Sequence, residues 1–259
     1  MTSAFLQASH LGFQYPDGTP GLRDVSFTFS PGESVGIVGA NGAGKSTLLL
    51  HLVGCLLPSS GELTILGQPV RRQTVSRLRE RVGLVFQNPD DQLFMPTVRE
   101  DVEFGPRNQG LTDAEVEDRV RRAVGVVGVE QLLDRPPHHL SGGEKRAVSI
   151  ATVLAMAPEA LVLDEPSAGL DPHSRRQVIR LLQDLSCTRI IASHDLDLIL
   201  DVCQRVILMH RGRIAADGPC REILQQADLL TDCGLELPLR LQACPVCEAA
   251  YRERDASAT

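Results

Sequence analysis

Apolar and polar positions along this chain follow two different periods. Val25, Phe27 and Phe29 alternate with Ser26, Thr28 and Ser30, the period of a strand with one buried face. Ser34 to Val38 reads as a short apolar strand that runs into a glycine-rich turn, and residues 45–57 read as the helix after it. Leu63 and Ile65 suggest another strand, closed by Gly67, and Val82 to Phe86 a further one ending at Gln87. From about Thr97 to Met156 the period becomes helical. Val116, Val120 and Val127 share one face there, with Arg119, Arg121 and Arg122 largely off it. Thr112 with Glu115 is a capping-box signature for the start of such a helix.

Strands return at Ala160 to Leu163 and at Ile190 to Ala192. Both runs are apolar without alternation, as expected of strands covered on both faces of a parallel sheet. Residues 205–218 read as a hairpin turning at Arg211-Gly212. The pattern therefore predicts an α/β core over residues 1–96 and 158–225, interrupted by a helical subdomain over 97–157 and followed by a tail, 226–259. In that tail Leu235, Leu237, Leu239 and Leu241 alternate strictly, but Pro238 limits the run to an edge strand or an extended docking segment. Residues 248–259 are mostly polar or small and are expected to be disordered.

Composition changes this picture in a few places. With 259 residues, 42% of them hydrophobic and 23% charged, the chain can bury the core of one large domain. A formal net charge of -7 argues against nucleic acid as a partner, because neutralising phosphates takes clustered Lys and Arg. The longest apolar run, Leu48 to Leu57, is broken by His51 and falls well short of the roughly 18 residues of a membrane-spanning helix. The first residues also lack the basic start and apolar stretch of a signal peptide. The chain is thus expected to fold in the cytoplasm and to reach a membrane only through a partner. Its cysteines number 7 and are mostly scattered, which fits reduced thiols. Only Cys244 and Cys247 have ligand-like spacing, and they lack the further pair a structural zinc site needs unless two tails meet in a dimer.

Candidate chemistry begins at Gly39-Ala40-Asn41-Gly42-Ala43-Gly44-Lys45-Ser46, a G-x-x-x-x-G-K-[ST] run between a strand and a helix. Glycines let the backbone close around phosphate and aim N–H groups at it, and the helix start adds a favourable dipole. Lys45 is expected to reach the β- and γ-phosphates of a nucleoside triphosphate, and the Ser46 hydroxyl to ligate Mg²⁺. Asp164 and Glu165 follow a buried strand, at the end of the sheet where ligands bind. Asp164 suits the acid that orients Mg²⁺, and Glu165 the base that polarises an attacking water.

Leu140-Ser141-Gly142-Gly143-Glu144 makes the reading specific: with the two preceding motifs it resembles the signature of ATP-binding-cassette ATPases. Other matches follow in that family's order. Tyr15 sits where the family places an aromatic ring against adenine, and Gln87 ends its strand like the Q-loop glutamine. Ser167 to Asp171 is similar to the D-loop, and His194 to the switch histidine. The resemblance covers roughly residues 4–220. It implies a P-loop NTPase core of RecA-like type with an inserted helical subdomain, and ATP hydrolysis with Mg²⁺ as cofactor. It further implies nucleotide contacts from Tyr15, from Gly39 through Thr47, and from Ser141, Gly142 and Gly143. Mg²⁺ would be held at Ser46, Gln87 and Asp164, with Glu165, His194 and Gln87 serving catalysis.

By resemblance, two such subunits, a homodimer being expected, would face each other head to tail on the cytoplasmic side of the membrane. The Ser141 helix of one would then close over the γ-phosphate held by the other. Glu144 departs from the family's usual glutamine and adds a negative charge unless it turns to the helix-capping N–H. The segment Phe86 to Phe94 with Val102 to Pro106 is similar to ATPases of energy-coupling-factor importers. Residues 150–154 and 192–197 are most similar to the cobalt and nickel branch. Partners implied are a transmembrane subunit and a substrate-capture subunit.

Overall fold

The computed structural model describes residues 4–242, so Cys244, Cys247 and residues 248–259 lie outside the described residues. Two sheets carry the chain. The first is antiparallel, built from β1 (Leu6–Gln14), β2 (Pro20–Phe29), β4 (Ser60–Ile65) and β5 (Gln68–Pro69) in the order β2-β1-β4-β5. The second contains β3 (Ser34–Val38), β6 (Val82–Val85), β7 (Ala160–Asp164), β8 (Thr188–Ala192), β9 (Arg205–His210) and β10 (Arg213–Pro219) in the order β10-β9-β3-β8-β7-β6. From β9 to β6 every pair in it is parallel, and β10 closes one edge as the antiparallel arm of the expected hairpin.

The unbroken apolar runs are explained by cover on both faces. Val35, Ile37, Val162, Ile190 and Ile207 point to the antiparallel sheet and to α1 (Lys45–Leu52). Their neighbours Val38, Leu161, Leu163, Ile191 and Leu208 point the other way, to α6 (Pro172–Asp184) and α7 (Leu196–Val202). A separate apolar core joins α3 (Val98–Asn108), α4 (Asp113–Val127) and α5 (Gly142–Leu154) through Val102, Val116, Val120, Val124, Val148 and Ala151. Ile150 and Val153 of α5 pack instead on the parallel sheet, so α5 bridges the helical layer and the core.

The α5–sheet contact is tight. A Cβ placed on Gly83 of β6 would lie 2.1 Å from Val153 Cγ1. Gly83→Ala is therefore expected to cost about 1–3 kcal/mol by overpacking, read in urea unfolding. A cost below about 0.5 kcal/mol would refute this packing.

Two local expectations need correction, one strand was missed, and an open alternative in the tail is decided. Helix α1 stops at Leu52 rather than 57, because Gly54 turns the chain left-handed at φ 68°. Strand β6 ends at Val85, and Phe86 is already exposed. Strand β1 was not legible as a strand: its pairing shifts register after Ala8, near left-handed His10, and the bulge scrambles the period-2 pattern. The leucines of 235–241 form no strand. Helix α2 (Val75–Arg79) precedes β6, while α8 (Cys220–Leu224) and α9 (Ala227–Asp232) follow β10, and α9 seats Leu230 in the core. Beyond α9 the chain docks as an extended segment. Asp197 of α7 accepts from the Leu239 and Arg240 backbone N–H groups, and Arg240 also donates to Asp201.

No helix of the described residues is long and apolar enough to cross a membrane.

Candidate active site

Parallel register assembles the site. Strands β3, β8, β7 and β6 are neighbours and run the same way, so their C-terminal ends share one edge of the sheet. Gly39 follows β3, His194 follows β8, Asp164 and Glu165 close β7, and Gln87 follows β6. These residues meet around one open cavity of about 730 Å³, lined also by Tyr15 and by Ala40 through Thr47. That volume is within the range of small-molecule sites.

The phosphate loop is shaped for an anion. Helices α3 to α7 all begin on a side-chain cap, whereas α1 begins on Gly44 with none. The first N–H groups of a helix have no partner within it, so those of α1 are left for a ligand. Gly44 holds φ 104°, where a Cβ would meet the Gly21 carbonyl oxygen at 2.8 Å. Lys45 is buried and donates Nζ to the carbonyl oxygens of Gly39 at 2.7 Å and Ala40 at 3.3 Å. Tyr15 Oη and Thr47 Oγ1 are 2.8 Å apart, and the Tyr15 ring packs edge-on against Phe13, so the aromatic ring is fixed at the cavity wall.

Opposite stand the carboxylates. Burial pushes the Asp164 carboxyl above the usual range, opposed by a hydrogen bond from the Ser46 hydroxyl and by the charge of Lys45. Ser46, Asp164 and the Gln87 amide offer oxygen ligands, the class that Mg²⁺ takes, so this donor set fits that ion. Glu165 is buried at φ 48°, a strained conformation for a residue with a Cβ. Its carboxylate accepts from Ser193 Oγ at 3.0 Å and from the His194 backbone N–H at 3.0 Å, and lies 2.8 Å from His194 Nδ1. Such a carboxylate can take a proton from a water held in the cavity, with the exposed His194 ring beside it.

Ser141, Gly142 and Gly143 are not brought to this cavity. They sit at the start of α5, where Ser141 and Gly143 line a separate groove shared with Ser174 and Gln177 of α6. Glu144 completes a capping box there: it accepts from the Ser141 N–H and hydroxyl at 2.8 Å each, and these bonds hold its carboxyl below the usual range. Its charge is thus spent on the cap, the alternative in which Glu144 turns to the capping N–H.

Sequence reasoning missed several residues at the site. Thr19, Pro20 and Gly21 line the cavity, as do Gly234 and Leu235 from the docked C-terminal segment. Arg175 makes a bidentate pair with Asp195, directly after His194. No local motif marks them, since each contact joins distant parts of the chain.

Comparison with known proteins follows the same lines. Residues 22–168 match the family model described as ABC transporter. A protein of Geobacter sulfurreducens named as an ABC transporter ATP-binding protein is 56% identical, over 95% of this chain and 99% of its own. The energy-coupling factor transporter ATP-binding protein EcfA of Methanothermobacter thermautotrophicus is 48% identical, over 90% of this chain and 76% of its own. Among solved structures, CbiO1 of Clostridium perfringens, part of the ABC transporter complex cbiONQ, is 40% identical with a TM-score of 0.80, over 91% of this chain and 96% of its own. The cassette MJ0796, solved as a dimer bound to ADP and Pi, shares the fold at 24% identity and a TM-score of 0.75, over 83% of this chain and 99% of its own.

Proposed function

The chain belongs to the ABC transporter ATP-binding family, and from that premise we propose that it is the ATPase of an energy-coupling-factor importer for cobalt or nickel ions. Being an ABC ATPase, it binds and hydrolyses ATP; the importer class and the cargo are the proposal. The observation that carries it is the surface beside Gln87. Phe86, Phe94 and Phe104 are exposed there, with the Phe94 and Phe104 rings edge-to-face at 5.1 Å between centroids. An aromatic patch one residue from a cavity-lining glutamine suits a helix of a membrane subunit that must sense the nucleotide state. The 48% identity to EcfA and 40% identity to CbiO1 support the importer class.

In this reading Lys45 and the α1 N–H groups hold the β- and γ-phosphates, and Tyr15 stacks on adenine. Ser46, Gln87 and Asp164 would hold Mg²⁺, which when bound would supply charge neutralisation for phosphoryl transfer. Glu165 takes a proton from water as its oxygen attacks the γ-phosphorus and the bond to ADP breaks. His194 keeps that geometry. The missing γ-phosphate contacts come from Ser141, Gly142 and Gly143 of a second subunit, because this chain's own signature opens away from its cavity. Closing and reopening of the pair then drives the membrane subunit.

Purification from native membranes in mild detergent tests this. The expected result is a polytopic membrane subunit and a small capture subunit in the same peak, with cobalt or nickel found by elemental analysis. A vitamin in place of metal would overturn the cargo, and an exporter-type permease would overturn the importer class. Phe94→Asp should abolish this association while leaving the hydrolysis of the isolated chain within about twofold, since surface charges act locally. Full recovery of the membrane subunit with Phe94→Asp would place the docking surface elsewhere.

A further inference from the structure

Arg146 takes no part in the motifs described above, yet it is among the largest fully buried side chains of the molecule. It lies in α5, in the second turn after the Ser141 cap. Its guanidinium donates Nη1 to the Phe86 carbonyl oxygen at 2.6 Å and Nη2 to the carbonyl oxygen of Gln87. No carboxylate pairs with it among the described residues, and its Nε has no partner there. Burial disfavours its charge, and the nearby Asp164 carboxylate partly restores it. A buried cation is costly unless its geometry serves something, and all its bonds go to one short stretch of backbone.

That stretch is held to α5 at further points. Lys145 Nζ lies 2.6 Å from Asp90 Oδ1. Gln92 accepts from the Phe86 N–H at 3.1 Å and donates to Ser149 O and Thr152 Oγ1, both at 2.7 Å. Residues 86–92 are therefore tied to α5 by side-chain bonds at several points after they leave the strand. One end of this unit is Gln87, in the chain's own cavity; the other is Ser141 to Gly143, exposed on a different face.

We propose that Arg146 is a positioning residue that locks Gln87 to the signature helix, so that filling one nucleotide site sets the pose of the helix that completes the partner's site. The inference rests on the head-to-tail pairing in the proposed function. It makes hydrolysis cooperative in ATP, with the fork of Arg146 as the link. Lysine keeps the charge but lacks the planar fork that holds two carbonyls at one fixed spacing.

The test uses the full chain with Arg146→Lys and, because the site is buried, Lys145→Met as a partner variant on the half-exposed side of the same link. Arg146→Lys should lower kcat by about 10–100-fold, the scale of an ångström misplacement, and bring the Hill coefficient towards one. Its affinity for a fluorescent ATP analogue should stay within about twofold, since Arg146 does not line the cavity. Lys145→Met should shift kcat and cooperativity in the same direction by a smaller factor. Unchanged kcat and cooperativity in Arg146→Lys would overturn the inference, as would a parallel loss of ATP affinity and thermal stability, which marks a purely structural role. Wild-type hydrolysis without cooperativity would overturn the link alone; absence of wild-type hydrolysis would overturn the proposed function and the link with it.

Discussion

Replacing Glu165 with glutamine is expected to slow ATP hydrolysis by about 10²–10⁴-fold, the usual worth of a positioned general base, while ATP still binds. The geometry separates the two effects. Phosphate is gripped from β3 and α1, whereas Glu165 stands across the cavity at the end of β7, and its carboxylate bonds only to Ser193 and His194. Glutamine has nearly the same shape and can accept from the Ser193 hydroxyl and the His194 N–H through its one carbonyl oxygen. It loses the second acceptor, Oε1, of the His194 N–H, so a stability loss of about 1 kcal/mol is expected. The backbone at φ 48° is unaffected by this change, which is why glutamine is preferred to a smaller residue. Steady-state turnover beside equilibrium binding of a fluorescent ATP analogue makes the comparison. Turnover within threefold of wild type would remove Glu165 from the role of base.

Lys45→Ala should act on the other term and weaken ATP binding itself. Lys45 is only 8% exposed and its ammonium group is bonded to the Gly39 and Ala40 carbonyl oxygens, so it is already poised at the loop. A triphosphate replaces those neutral acceptors with charged ones. A hydrogen bond to a charged group is worth about 1.5–3 kcal/mol, which corresponds to a roughly 10–150-fold rise in Kd. Titration with the same analogue reads it directly, and unaltered affinity would overturn the phosphate-loop assignment. Alanine also leaves two carbonyl oxygens without their donor. A fall in urea stability is therefore expected in the absence of nucleotide, and its size tells how much of the loop's order the lysine supplies.

Much of the site was legible because its chemistry is carried by contiguous residues. A strand, a glycine-rich turn and a helix must be adjacent in sequence to cradle phosphate, so Gly39 to Ser46 announces both the structure and the ligand. The same holds for Asp164-Glu165 at a strand end, for the Ser141–Glu144 cap, and for the hairpin at Arg211-Gly212. Apolar runs without alternation disclosed the parallel sheet, since strands covered on both faces have no polar side to show. Strand β1 stayed hidden because its bulge near His10 breaks the period on which such reading depends. The leucine alternation at 235–241 left an edge strand and a docking segment open, and the ties from Asp197 to Leu239 and Arg240 decide for docking against α7, outside any sheet.

The sequence by itself thus disclosed the fold class, the phosphate loop and the acidic pair at a strand end, each from a short local signal. Only the tertiary structure decided that Gln87, Asp164, Glu165 and His194 face one cavity while Ser141 and Gly143 face another. It also decided that Arg146 of α5 grips the backbone at Gln87, 59 residues away, and that Gly234 and Leu235 reach the cavity wall. The physical reason is that strand order and parallel register, which bring distant ends to one edge, depend on how whole faces pack together. A motif can state which groups are present, but their distances follow from that packing.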